Sequence, residues 1–110
     1  MIMNWTVEFV HARAEAEIRS LPPDMIARFL RIGSMIATNG LLSMREPQIK
    51  HLTGKLWEMR LSGRDGIARS IYVAASGRRV VVLRTFVKKT EQTPPREIEI
   101  ALARMKEIRE

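Results

Sequence analysis

The residues of this chain whose types could do chemistry are its cations. Positions 41 to 90 hold eleven lysines and arginines (Arg45, Lys50, Lys55, Arg60, Arg64, Arg69, Arg78, Arg79, Arg84, Lys88 and Lys89) against only Glu46, Glu58 and Asp65. A planar guanidinium binds phosphate bidentately, and lysine adds a mobile point charge. Such a cluster can hold a nucleic-acid backbone. It can equally stabilise the extra negative charge of a phosphorane-like transition state. Spacing alone does not choose between the two. Arg60, Arg69 and Arg84 each occur in a pattern that otherwise reads as a half-buried strand. An arginine there needs a partner, such as Glu58 or Asp65, or an open face. The open-face reading places all three on one concave surface with Lys88 and Lys89.

Other chemistries lack their residues. The only histidines are His11 and His51, far apart and without a carboxylate at ligand spacing, so no metal site is expected. His11 is expected to face solvent at a helix start; His51 lies among the cations and could contact phosphate or relay a proton. The absence of cysteine excludes a disulfide scaffold, a thiolate zinc site and a cysteine nucleophile. Gly63-Arg64-Asp65-Gly66 fits a hairpin turn and matches neither a Walker A loop nor a dinucleotide fingerprint. The carboxylates lie mainly on expected helices, which disfavours a two-acid glycosidase scheme. No cofactor is expected.

The elements that must position these cations can be read from periodicity. Residues 2–10 alternate, with Trp5, Val7 and Phe9 on one side, as a strand does. Residues 11–20, rich in Ala and Glu, read as a short helix. Pro22 and Pro23 open a second helix; from Met25 on, its apolar face carries Ile26, Phe29, Leu30, Gly33, Ile36 and Ala37. Asn39-Gly40 stops it, and the two helices form a hairpin. A short strand is expected near residues 48–51. In 56–61, Trp57, Met59 and Leu61 face one way and Leu56, Glu58 and Arg60 the other. Residues 67–75 and 80–87 are further strands, the last the most apolar and expected to be central. Thr93 and Pro94 are expected to cap and open a final helix, with Ile98, Ala101, Leu102, Met105 and Ile108 buried. The order β-α-α-β-β-β-β-α indicates an α+β fold, an antiparallel twisted sheet with helices packed on it.

With 110 residues, one domain spanning 1–110 is expected. A hydrophobic content of 45% suits a folded globule. No apolar run reaches the roughly 20 residues of a membrane span, and residues 1–5 lack the basic and apolar regions of a signal peptide. A soluble, cytoplasmic protein without membrane contact is the expectation. The net charge of +7 lies entirely in the middle of the chain, since both flanks are nearly balanced. A field of that sign attracts polyanions.

Four stretches together resemble a known family. They are Leu56-Trp57-Glu58-Met59-Arg60; Gly66, Arg69 and Tyr72; Val82, Leu83, Phe86, Lys88, Lys89, Thr90, Thr93 and Pro94; and Glu97, Ile98, Ala101 and Arg104. This set is similar to the RelE/ParE toxin superfamily, in particular its HigB-like branch of phage-derived Gp49-type proteins. The resemblance covers essentially the whole chain. It implies a RelE-like single domain acting as toxin of a type II toxin–antitoxin pair, with a helix-turn-helix antitoxin as partner. It further implies metal-independent cleavage of messenger RNA on the ribosome by 2′-hydroxyl attack on the adjacent phosphate. By motif position Arg60 looks like a phosphate-binding or base position, Arg69 like the arginine of the transition state, and Lys88 and Lys89 like the third basic position. Lys50, His51, Lys55, Arg64, Arg84 and Phe86 are the expected RNA or ribosome contacts. Relatives carry a tyrosine or histidine near the last turn or in the final helix; here Phe86 is the nearest aromatic, and Lys89 becomes the expected proton donor. Tyr72 is expected to pack in the sheet. The alternatives are a ParE-like inhibitor that binds DNA gyrase without catalysis, and a non-enzymatic RNA-binding or purely structural domain.

Overall fold

The computed structural model describes residues 4–109; Ile2 and Met3, part of the expected first strand, lie outside them. The elements are β1 (Thr6–Phe9), α1 (Ala12–Arg19), α2 (Pro23–Asn39), β2 (Ile49–Thr53), β3 (Leu56–Gly63), β4 (Gly66–Ala75), β5 (Arg79–Lys88) and α3 (Pro95–Met105), with a 3-10 turn at Leu41–Ser43. The expected order and α+β class hold.

The sheet runs β1-β5-β4-β3-β2. Strands β2 to β5 form an antiparallel meander, but β1 pairs parallel to β5, Thr6 opposite Arg79 through Phe9 opposite Val82. The sheet is therefore mixed. Alternation tells which face a residue takes, not which strand lies beside it. The apolar strand β5 is interior, yet the middle of the sheet is β4.

Each face of the sheet has its own core. On one, Met25, Phe29, Ile32 and Ile36 of α2 pack with Met59, Leu61, Ala68, Tyr72 and Val82. On the other, Ala101 of α3 packs with Leu56, Ile71, Val73, Val81 and Leu83. The α2 stripe is rotated from expectation, because Ile32 is buried and Leu30 is exposed. Positions 25, 29, 32 and 36 recur at helical spacing too, so the pattern alone left both stripes open. Tyr72 is buried within the first core, as expected.

Two local devices lock the frame. Gly63 lies so close to α2 that a Cβ there would sit 2.8 Å from Met25 Cγ, and Asp24 Oδ2 accepts the Arg64 N–H at 2.6 Å. The N-terminus of α2 thus sits on the β3–β4 hairpin. Beyond Val82, β5 outruns β1 and its edge is covered by side chains. Glu17 Oε1 accepts the Thr85 N–H at 3.1 Å, and Arg104 Nη1 donates to the Leu83 carbonyl at 2.8 Å. His11, expected merely to face solvent, caps α1 by accepting the Ala14 N–H at Nδ1, 3.1 Å.

Candidate active site

Alternation along four neighbouring strands brings Lys50 of β2, Arg60 of β3, Arg69 of β4 and Lys88 of β5 to one side of the sheet. Lys50 stands opposite Glu58, and Arg60 opposite Arg69. Together with Glu46, Pro47, Glu58 and Glu91 these residues line a cavity of about 160 Å³. That is on the order of five water volumes at ~30 Å³ each, room for a phosphate-sized group.

Arg69 is buried, with its side chain 7% exposed, and it is ion-paired through Nη1 with Glu58 Oε2. Glu58 is buried more deeply still, at 1%. Its other oxygen accepts from Thr93 Oγ1 at 2.6 Å. Burial pulls the Arg69 guanidinium below the ordinary arginine value, with the Glu91 charge opposing it; an arginine remains protonated through such a shift. The Lys88 ammonium is also held below its ordinary value. Desolvation is the main cause, followed by repulsion from Arg69, Arg60 and Lys50, against attraction from Glu91. A lysine moved in that direction is a better proton-transfer group near neutral pH than a free one.

The remaining expected site residues lie elsewhere. Lys89, the expected proton donor, is exposed and does not line the cavity, whereas its neighbour Lys88 does. His51 faces the other side of the sheet from Lys50: Nε2 is 2.8 Å from the Gly54 carbonyl, and the ring meets Trp57 edge-on at 5.0 Å between centroids. Lys55 lines a different, apolar groove. Arg64 is in the β3–β4 turn, exposed, with Asp65 3.8 Å away. Phe86 pairs with Arg69 in register but packs on the α3 core. Arg84 is not a free cation: Nη1 contacts Glu17 Oε2 and Nε contacts Glu97 Oε1, each at 2.7 Å. Those contacts hold its pKa above the ordinary value although burial opposes them. It ties α1 to α3 through β5.

Three carboxylates also line the cavity. The sequence puts Glu58 on the face of Arg60 and makes it a partner for a strand arginine, and it holds both places. Glu46 and Glu91 come from loops, where parity gives no signal. Among the described residues no group of three or more His, Cys, Asp or Glu side chains could hold a metal ion.

Residues 16–106 match the family described as Phage derived protein Gp49-like (DUF891). The chain belongs to the Gp49-like family. The matched region contains every residue of the cavity. Among solved structures, the Gp49-like chain is similar to a chain of the archaeal RelE-RelB complex from Pyrococcus horikoshii OT3. The TM-score is 0.60 at 22% identity, covering 77% of this chain and 96% of that one. At that identity the likeness is one of fold, and the fold is RelE-like. No curated protein matches the Gp49-like chain. No described helix of it is long and apolar enough to cross a membrane.

Proposed function

We propose that this protein is the toxin of a type II toxin–antitoxin pair, acting in the cytoplasm as a messenger RNA endoribonuclease on the translating ribosome. One observation carries the reading: Lys50, Arg60, Arg69 and Lys88 converge from four adjacent strands on one phosphate-sized cavity of a RelE-like fold. In this scheme the ribose 2′-oxygen attacks the adjacent phosphorus while the bond to the 5′-oxygen of the next nucleotide breaks. The products are a 2′,3′-cyclic phosphate and a 5′-hydroxyl. Arg60, Arg69 and Lys50 steady the phosphoryl oxygens. Lys88 gives its proton to the leaving 5′-oxygen. Glu46, on the cavity wall with no hydrogen bond or ion pair among the described residues, accepts the proton of the 2′-hydroxyl.

The antitoxin has a surface of suitable chemistry. On the other face of the sheet, meeting the cavity at Glu46, is a groove of about 630 Å³ lined by Leu41, Leu42, Met44, Ile49, Trp57, Tyr72 and Ala74, with Arg45 and Lys55 among its lining residues. Leu42 is 88% exposed. An apolar antitoxin segment flanked by acidic residues would fit there and pass beside the cavity.

Induction of the protein followed by primer extension on total RNA tests the activity. Discrete cleavage sites should appear, and should be lost in Arg60→Ala and Lys88→Ala. Cleavage unchanged in both variants would overturn the assignment. Intact RNA with blocked DNA supercoiling would point instead to gyrase inhibition. Leu42→Glu should leave toxicity intact but weaken antitoxin binding by roughly 10- to 100-fold, the loss expected for a charge forced into an apolar contact. An unchanged dissociation constant would remove the groove from the interface.

A further inference from the structure

Thr93 follows the N-cap pattern of a serine or threonine just before a helical proline, yet its hydroxyl does not cap α3. The N-cap is Pro94, which makes no side-chain hydrogen bond. Thr93 instead donates to Glu58 Oε1, on a strand 35 residues earlier. Glu58 in turn pairs with Arg69 through its other oxygen. The result is a chain of contacts from the segment that leads into α3, through the most buried carboxylate among the described residues, to Arg69 of the cavity.

Glu58 stands out because a carboxylate in a phosphate site opposes the ligand. Its effect on Arg69 explains the placement. Arg60, Lys50 and Lys88 all repel the guanidinium, and a long side chain without a counter-charge would swing away from them. Pairing with Glu58 pins one nitrogen of the fork. The Arg69 Nε–H is buried without a hydrogen-bond partner among the described residues, an unspent donor on a side chain that lines the cavity. Buried donors of this kind rarely stay unmatched.

We propose that Glu58 and Thr93 are positioning residues. Glu58 fixes the Arg69 guanidinium so that its unspent Nε edge is offered to a phosphate, and Thr93 fixes Glu58. Through Thr93, the segment that leads into α3 thereby bears on the geometry of the phosphate site. The catalytic consequences rest on the ribonuclease reading; the geometry does not.

The test has two arms. In the first, single-turnover cleavage on programmed ribosomes is measured for the wild type, Glu58→Gln, Thr93→Val and Thr93→Ser. Glu58→Gln should lower kcat about 100-fold, as a misplaced catalytic group does, with KM unchanged or lower. Thr93→Val should lower kcat about tenfold, the loss of one charge-assisted hydrogen bond, and Thr93→Ser should restore it. A kcat for Glu58→Gln and Thr93→Val within twofold of the wild type overturns the proposal, as does a loss in KM alone. The second arm needs no activity. The Arg69 Nε–H resonance is followed by NMR in the purified protein as inorganic phosphate is added. It should shift in the wild type and in Thr93→Ser. In Thr93→Val and Glu58→Gln it should be displaced and exchange faster before phosphate is added. An identical Arg69 Nε–H signal in all four proteins overturns the proposal. Should the wild type cut no RNA, the ribonuclease reading fails and the second arm alone decides on positioning. Should Glu58→Gln not fold, the Thr93 pair decides, because the Thr93 changes remove neither Glu58 nor Arg69.

Discussion

Lys50 and His51 are neighbours on β2, and only one of them reaches the cavity. Strand parity sends Lys50 toward Arg60, Arg69 and Lys88 and His51 toward Trp57. Sequence placed the cations on strands correctly. It could not tell which of two adjacent polar residues faces the site, because that depends on the register of a five-residue strand without an apolar alternation of its own. Arg69 and Arg84 teach a related point: a strand arginine needs a partner or an open face, and both found partners, Glu58 and the pair Glu17 and Glu97. Lys88 holds its proton less tightly than an ordinary lysine does, and this can be tested directly. Its ammonium is pushed down by desolvation and then by Arg69, Arg60 and Lys50, and pulled up by Glu91. The protonated form is the donor, so activity that depends on it should fall as pH rises through the lowered value. In a ¹³C NMR titration of the lysine Cε, Lys88 should titrate below the ordinary lysine value. Lys50→Ala removes a repelling charge and should move its midpoint up; Glu91→Gln removes an attracting one and should move it down. Opposite movements would show that the cavity charges do not act on Lys88 as described.

The elements were largely legible, and the misreadings have physical causes. Order and number of strands followed from alternation and turn residues. The parallel pairing of β1, the rotated stripe of α2 and the use of Thr93 on Glu58 did not, since each is settled by a tertiary neighbour. The open edge of β5 is another such case. An edge strand presents unpaired N–H and C=O groups that must be covered. Here Glu17 and Arg104 cover them and also pair with each other at 2.9 Å. Arg104→Ala leaves the Leu83 carbonyl and one Glu17 oxygen short of a donor. It should cost about 2–3 kcal/mol in urea unfolding, as expected for breaking a mostly buried charged hydrogen bond. An unchanged midpoint would mean that water replaces the arginine fully. The pH dependence has a definite sign. Burial pushes the Glu17 carboxyl up, but the Arg104 and Thr85 hydrogen bonds and the charges of Arg84 and Arg104 outweigh it and leave it below 4.5. A depressed carboxylate stabilises the fold fully above its unfolded value, and that contribution is lost as pH falls through the folded one. Stability should therefore drop below about pH 4.5, less steeply in Glu17→Gln.

Across the whole molecule the net charge of +7 is not the charge of the site. The cavity holds Lys50, Arg60, Arg69 and Lys88 against Glu46, Glu58 and Glu91, so most of the excess lies outside it. The α3 side of the sheet carries the cavity, the α2 side the apolar groove, and Arg64 stands in the turn at one end with its side chain 89% exposed. This division separates two effects that a sequence-level charge count merges. Charges in the cavity act on the transition state over a few ångströms, where water is scarce. Exposed charges act on the approach of a polyanion and are screened by salt. Arg64→Gln should therefore weaken ribosome or RNA association at low salt while leaving the single-turnover cleavage rate of the bound complex unchanged. If Arg64 touches one phosphate, the slope of log K against log salt should become shallower by about 0.7, the value for a single-stranded contact. Arg60→Ala should show the reverse, a large loss in rate with a smaller change in association. A rate loss in Arg64→Gln comparable to that of Arg60→Ala would mean that the hairpin end of the sheet belongs to the active site after all.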